Sequence, residues 1–342
     1  MVGRSDLVEL LADDATAHAR RLWVDLFDTD APPAVAAAIE AGLTEAVAAP
    51  EAAVFVRSGV GLVVGLRLVT GTEVVAKVHR WNASLERLRA VHAVQSELHR
   101  HGIPAPMPLA EPRRCGNGVL TVEESIPGQR RSGHDPVVRG AMATGLAAFI
   151  AAGTGIEPPA ALEPGLGPPA DGSLWGEPHD LRFDFVATSA GAEWIDELAT
   201  EARTVLARSE LPDVNAHLDW RVENVAFAGD RIVAIYDWDS VATVPEVVAV
   251  GDSAATFSTD WSVGWSGLPS VDEMRAFVAD YERARGRAFS AGELEMLDAA
   301  NLLQLAYGAR CQHSDAVLHP DLGDADGGWI GLFRERGRSV WV

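Results

Sequence analysis

Residues 217–239, HLDWRVENVAFAGDRIVAIYDWD, leave the chain little freedom in how it folds locally. Two apolar stretches, VAF and RIVAIY, flank the turn pair Gly229-Asp230, and the spacing predicts a tight β-hairpin. Polar residues stand at both outer ends. His217, Asp219 and Asn224 precede the first strand, and Asp237 and Asp239 follow the second. A hairpin carries the chain out and back, so Asp237 returns close to Asn224. Two oxygen ligands meeting there suit Mg2+, which accepts few protein ligands when phosphates supply the others. If the second strand continues, Asp239 points to the same side as Asp237 and assists the metal. The alternative is that Asp239 caps the next segment.

This set fits phosphoryl transfer. That chemistry needs a carboxylate to orient the attacking hydroxyl, oxygen ligands for the metal, and cations on the phosphates. His217-x-Asp219, followed after four residues by Asn224, has the H-x-D-x-x-x-x-N spacing of kinase catalytic loops. Asp219 is the expected base. Asn224, Asp237 and Asp239 are the expected metal ligands, and His217 is grouped with the catalytic residues. Arg221 is a candidate cation for transition-state charge. Paired with Glu223 it is instead an ordinary surface arginine.

Ahead of this run the pattern is different. Residues 5–49 read as two helices, from the spacing of Leu7, Leu10, Leu11 and Ala15 and an Ala-rich stretch after Pro32-Pro33. From Ala53, VFVRSG, LVVGLRLV and EVVAKVH are short β-branched runs broken by glycine, which predicts three antiparallel strands. A helix over 85–101 ends before Pro104 and Pro106, and a strand pair lies around 108–126. Further helices are expected over 136–152, 192–209, 271–285 and 291–311, with a Pro/Gly-rich loop over 153–177. The expected architecture is α+β: a helical extension over 1–50, a small antiparallel β-rich lobe over 51–127 and a larger helical lobe over 128–342.

Composition excludes some partners. The net charge of −21 repels nucleic acid and anionic membrane, both of which are bound mainly through Lys and Arg. Cys115 and Cys311 stand in unrelated contexts, too few to staple the chain and with no zinc spacing. The N-terminus has no apolar signal core, and the most apolar window, Ala141–Ala152, is short for a bilayer. A cytoplasmic protein is expected.

The run HLDWRVEN…IYDWD resembles the aminoglycoside phosphotransferase family, relatives of protein kinases that phosphorylate small molecules. Leu218 and Tyr236 depart from the family pattern without removing a reacting group. The resemblance implies a two-lobed protein-kinase-like fold, with ATP and Mg2+ as cofactors. It implies transfer of the γ-phosphoryl to a hydroxyl of an aminoglycoside, amino sugar, amino alcohol or similar compound. Lys77, in EVVAKVH, resembles the strand lysine that holds the α- and β-phosphates. A lysine inside an apolar strand needs such a reason, because burial without a partner is costly. Ser58, Gly59 and Gly61 would form the loop over the phosphates, where missing side chains let backbone amides approach. Glu97 is the candidate helix partner of Lys77. By the same resemblance, the backbone of Glu124 and Ile126 holds the adenine.

Between Asp237 and Asp252 there is no D-F-G glycine and no long activation segment, which favours a small acceptor. Asp252 resembles the buried aspartate that braces the catalytic loop. Asp260, Asp272, Glu273, Asp280, Asp315, Asp321, Asp324 and Asp326 would suit a cationic acceptor if they lined a pocket, and Trp261 and Trp265 would suit a sugar or amine. Scattered surface acids and packing tryptophans give the same sequence. Two rival readings remain. VVAVGDSAATF mimics a strand–elbow–helix of a serine hydrolase with Ser253 as nucleophile and His313 or His319 as base. A nucleotide-binding pseudokinase is the other.

Overall fold

The structure is a computed structural model that describes residues 3–341 except 81–82, 163, 168, 170–171, 181 and 321–326. The chain divides into two compact units, Met1–Arg100 with Ala105–Pro127, and His101–Pro104 with Gly128–Val342.

The first unit opens with three helices, α1 (Gly3–Asp14), α2 (Ala17–Phe27) and α3 (Pro32–Ala46), where the sequence predicts two. The extra break falls at Thr16, whose backbone is extended and whose hydroxyl accepts from Ala19 N at 3.1 Å. That is an N-cap, and it starts a new helix. Five strands follow: β1 (Pro50–Ser58), β2 (Leu62–Leu68), β3 (Glu73–His79), β4 (Arg113–Cys115) and β5 (Gly118–Glu124), with α4 (Leu85–Arg100) between β3 and β4. They form one antiparallel sheet of order β1-β2-β3-β5-β4.

Strand alternation gives this sheet two different faces. Val74, Ala76, Val78, Leu120 and Val122 share one core with Leu11, Leu22, Trp23, Ile39 and Leu43 of the first three helices. Those helices are thus part of the β-rich unit, not an appendage, because their apolar stripes cover a sheet face that water would otherwise wet. Val75, Lys77, Thr121 and Glu123 alternate onto the other face.

The second unit begins with α5 (Pro136–Thr154) and α6 (Glu193–Leu206). Strand β6 (Asp213–His217) pairs antiparallel with β9 (Val241–Pro245), and β7 (Val225–Ala228) with β8 (Arg231–Ile235) is the expected hairpin. Then come α7 (Glu246–Thr256), α8 (Val271–Arg285), α9 (Ala291–Leu318) and α10 (Gly328–Arg336). Capping boxes at Ser270/Glu273 and Ser290/Glu293 start α8 and α9.

Two expectations are corrected here. Helix α5 runs for 19 residues, long and apolar enough to cross a membrane by length and composition, so the apolar window is not too short. Its buried side, with Met142, Leu146 and Phe149, packs in the core of the unit, and Met142 O accepts from Trp220 Nε1 at 3.1 Å. Ser253 is not at an elbow: the β9–α7 junction falls at Pro245 and Glu246, and Ser253 lies well inside α7, fully buried. A nucleophile needs an exposed oxygen. The candidate base His313 instead sits 3.1 Å from Ala190 O.

Helix α7 approaches α9 closely at Gly251, where an added Cβ would overlap Leu297 O and lie 2.9 Å from Ala300 Cβ. Gly251→Ala is therefore expected to destabilise the protein by about 2 kcal/mol, as overpacking does. Gly140, in α5 with nothing within 4 Å of its would-be Cβ, is the control. Gly140→Ala should raise stability by about 0.5–1 kcal/mol through helix propensity. Urea denaturation of the two variants measures both.

Candidate active site

The catalytic-loop segment leaves β6 at His217 and enters β7 at Val225. His217 is fully buried, its ring enclosed edge-on by Phe149, Trp220 and Trp238. Asp219 N donates to His217 Nδ1 at 3.3 Å, so Nδ1 is the acceptor and Nε2 carries the proton. Nε2 then donates to Tyr236 O at 2.8 Å. Burial lowers the pKa of His217, against the raising effects of the Tyr236 carbonyl, Asp237 and Asp239, and the ring stays neutral. His217, grouped by sequence with the catalytic residues, is thus enclosed in the core with both ring nitrogens bonded to the backbone.

Asn224 binds back onto the loop. Its Nδ2 donates to Asp219 Oδ2 at 2.7 Å and to Asp219 O at 3.0 Å. The amide oxygen is then the atom of Asn224 suited to a cation. Asn224 O accepts from Tyr236 N at 2.8 Å, which sets Asp237 beside Asn224 as the hairpin predicts. Arg221 lies 3.3 Å from Asp219 Oδ2 and 3.8 Å from Glu223 Oε2, so it is shared between the two carboxylates.

The strand does not continue to Asp239. Strand β8 ends at Ile235, and Asp237 takes a left-handed backbone, φ 62° and ψ 45°, before a 3-10 turn over Trp238–Ser240. Strand alternation therefore does not align the Asp237 and Asp239 side chains. Left-handed backbone costs about 1–3 kcal/mol away from glycine and gathers at functional sites. Aspartate tolerates it better than most residues. Ser240 holds this turn: its N–H and hydroxyl donate to Asp237 O at 3.1 and 2.8 Å, and its Oγ lies 3.1 Å from His217 Nδ1. Ser240 was not singled out from sequence; its only signal is the spacing of a serine three residues after Asp237.

Asp252 is buried in α7, and its pKa is raised, first by burial and then by the Asp219 charge. Val222 N, in the loop, donates to Phe257 O at 2.8 Å just beyond this helix. Among the described residues no three His, Cys, Asp or Glu side chains group around a metal position. Asn224 and Asp237, the expected ligands, would offer two oxygens, a number that suits a metal completed by phosphates and water.

In the β-rich unit, Lys77 lies opposite Val63 of β2 and Thr121 of β5. The glycine-rich turn is next to it: a Cβ on Gly61 would lie 2.9 Å from Val78 O and 3.7 Å from Lys77 Cε. Helix α4 presents Gln95 to the sheet. Gln95 is buried, and its Nε2 donates to Glu123 Oε2 at 2.9 Å and to Pro106 O at 2.7 Å. Glu97, two positions on, pairs with Arg100. Glu123 was missed by the sequence reading, yet by register it shares the Lys77 face, diagonal to it across the strand pair. Glu124 N donates to Met107 O at 3.0 Å. Ile126 lies just past β5.

Trp261 and Trp265 are 43% and 40% exposed and meet edge to face at 5.8 Å. Asp260 caps their segment, accepting from Ser262 N at 2.9 Å. Arg130 lies 3.6 Å from Asp260 and 3.9 Å from Glu223. Asp280 is bound to Arg139 and Glu273 to His134, which removes both from any open acidic wall. Asp321, Asp324 and Asp326 lie outside the described residues.

An antiparallel β-rich unit with a strand lysine, followed by a helical unit with this loop and hairpin, is the two-lobed protein-kinase-like fold. Solved structures share it. Amicoumacin kinase hAmiN, in complex with AMP-PNP, Ca2+ and Ami, matches with a TM-score of 0.65 and 11% identity, covering 87% of this chain and 91% of that one. Spectinomycin phosphotransferase APH(9)-Ia, in complex with ADP and spectinomycin, matches with a TM-score of 0.54 and 12% identity, covering 88% and 95%. A choline/ethanolamine kinase family protein from Mesorhizobium loti matches at 0.53 and 16%, covering 82% and 86%. None of the curated proteins matches in sequence. The profile of the phosphotransferase enzyme family (APH) matches residues 57–294, and the chain belongs to that family.

The neutral state of His217 carries a pH prediction. In the unfolded chain the ring takes up a proton near its ordinary pKa of about 6.5. In the folded chain burial resists protonation. The unfolded state therefore binds more protons below that pH, and stability falls as pH drops through 6.5. His92, lowered to about 4 mainly by burial, acts in the same direction. Urea midpoints at pH 7.5 and 5.5 should show the loss, and His217→Gln should shrink it even though that variant is less stable at pH 7.5.

Proposed function

We propose that this protein transfers the γ-phosphoryl group of Mg-ATP to a hydroxyl of a small molecule. The observation that carries the reading is the locked pair of Asp219 and Asn224, with Asp237 brought alongside through the Tyr236–Asn224 backbone bond. Asp219 is the base that orients the acceptor hydroxyl and takes its proton. The Asn224 amide hydrogen fixes one oxygen of that carboxylate, Oδ2. Arg221, beside Asp219, faces the charge that develops on the transferred group.

Asn224 and Asp237 hold the metal, with Asp239 as an accessory ligand. Bound Mg2+ supplies charge neutralisation on the phosphates. Residues 51–127 form the nucleotide-binding lobe. Lys77 holds the α- and β-phosphates, Ser58, Gly59 and Gly61 form the loop over them, and the backbone of Glu124 and Ile126 meets the adenine. Glu123, bonded to Gln95, supplies a carboxylate on the Lys77 face, a role for which Glu97 was the first candidate.

Residues 128–342 carry the acceptor side. The ion pairs running from Asp219 through Arg221, Glu223 and Arg130 to Asp260 end at the exposed Trp261–Trp265 pair. An exposed aromatic pair at the end of such a charge network favours an acceptor with a cationic amine or a sugar face. Amicoumacin, spectinomycin and ethanolamine-type acceptors of the structural neighbours are therefore suitable members of a test panel.

An ADP-release screen over aminoglycosides, amino sugars, amino alcohols and nucleosides tests the reading. Acceptor-dependent ADP release is expected. Tight Mg-ATP binding with no release across the panel would instead favour a pseudokinase. With an active acceptor, Asp219→Asn should lower kcat on the order of 10³-fold and leave the Mg-ATP dissociation constant within about twofold. Asp237→Ala should weaken Mg-ATP binding at least about tenfold and leave adenosine binding unchanged. Full activity in Asp219→Asn would remove the base assignment.

A further inference from the structure

Helix α2 precedes the region matched by the family profile, 57–294. It nevertheless holds the glycine-rich turn at two consecutive residues. Trp23 Nε1 donates to Ser58 Oγ at 2.9 Å, and His18 Nε2 lies 3.0 Å from Gly59 O. A carbonyl only accepts, so Nε2 is the protonated nitrogen of His18. Trp23 is fully buried in the core that covers the sheet, so packing fixes its ring. The opposite end of the helix is fixed as well. Asn117, in the turn between β4 and β5, donates from N to Leu26 O at 2.8 Å and from Nδ2 to Asp25 O at 3.3 Å and Asp28 Oδ1 at 3.1 Å. Helix α2 is thus a strut between the β4–β5 turn and the β1–β2 turn.

The two bonds have definite consequences for donors. An indole N–H can only donate. Its bond occupies a lone pair of Ser58 Oγ and leaves the hydroxyl proton to be given elsewhere. In a trans peptide the C=O and the following N–H point in opposite directions. Directing Gly59 O at α2 therefore turns the Val60 N–H away from α2. Gly59 N is itself used within the turn, donating to Gly61 O at 3.0 Å. We propose that α2 is a positioning element for the nucleotide: Trp23 and His18 orient Ser58 and the Gly59–Val60 peptide so that their O–H and N–H meet phosphate oxygens. This rests on the reading of residues 58–61 as the phosphate loop.

Calorimetric binding of Mg-ATP and of adenosine to the full chain tests it. Ser58→Ala removes a donor to a charged oxygen and is expected to weaken Mg-ATP about tenfold. Trp23→Phe and His18→Ala remove only the orienting bond, for an expected loss of about threefold each. Adenosine has no phosphate, so its affinity should stay unchanged in all three variants. Trp23 acts through Ser58, so Trp23→Phe combined with Ser58→Ala should bind Mg-ATP no worse than Ser58→Ala alone.

If Trp23→Phe and His18→Ala lose Mg-ATP and adenosine alike, or lose neither, the proposal is overturned. Additive losses in the double variant overturn it too. Should Trp23→Phe fail to fold, His18→Ala, on the partly exposed side of α2, decides by the same comparison. Lys77→Ala separates this inference from the reading it rests on. If wild type binds Mg-ATP, Lys77→Ala does not, and the α2 variants bind normally, only the strut fails. A wild type that binds no Mg-ATP sinks the phosphotransferase reading and the strut together.

Discussion

The bond from His217 Nε2 to Tyr236 O, 2.8 Å long inside a closed aromatic box, is the contact on which the chemistry proposed for the helical unit depends. It joins the end of β6 to the residue just after β8, two points 19 residues apart in sequence. The groups that matter hang from those two points. Asp219 donates its amide to the other ring nitrogen, and Ser240, against the same ring, holds the Asp237 carbonyl. A charged imidazolium would lose its acceptor nitrogen and would have to be stripped of water in this box. Burial therefore does two things: it keeps the ring neutral, and it keeps one nitrogen a donor and the other an acceptor. That is why Trp220 and Trp238 stand within an otherwise polar motif.

Much of this was legible where periodicity is strong. The β7–β8 hairpin follows from apolar runs about Gly229-Asp230, and α4 from Leu88, Val91 and Leu98 ahead of Pro104. Helix α7 was not legible. Its residues Val247–Thr256 are buried on every side, so no polar stripe marks a helix, and β-branched Val247, Val248 and Val250 imitate a strand. The left-handed turn at Asp237 carries no glycine to signal it. By pattern alone the strand therefore runs on to Asp239, although the chain bends two residues earlier.

Pair partners were less legible still. Along α4 the sequence offers Glu97 as a carboxylate for Lys77. The structure puts Gln95 on the inner side of that helix and Glu123 on the neighbouring strand. Sequence spacing within one element can say which residues share its face. It cannot say which residue of another strand stands diagonal to them, because register is fixed by how the whole sheet packs. The same applies to α2. Its bonds to Ser58 and Gly59 span 35 and 41 residues, and no local pattern announces them.

A net charge of −21 is an odd setting for binding a polyanion. Long-range attraction cannot recruit Mg-ATP here, and the surface charge repels it at separations below the screening length, about 10 Å at 0.1 M salt. Affinity must then come from groups in direct contact: a lysine on a packed strand, backbone amides, a hydroxyl, and the metal's own charge. Such short-range donors are effective only if they are already aimed, since a mobile loop loses ordering entropy on binding. A glycine-rich turn is among the least ordered of segments by composition. Tying it at Ser58 and Gly59 to a helix whose tryptophan is locked in the core removes part of that cost before the nucleotide arrives. In this chain the helices before the sheet do more than cover its apolar face; they tie down the turn that, under the proposed function, an acidic protein relies on to hold an acidic ligand.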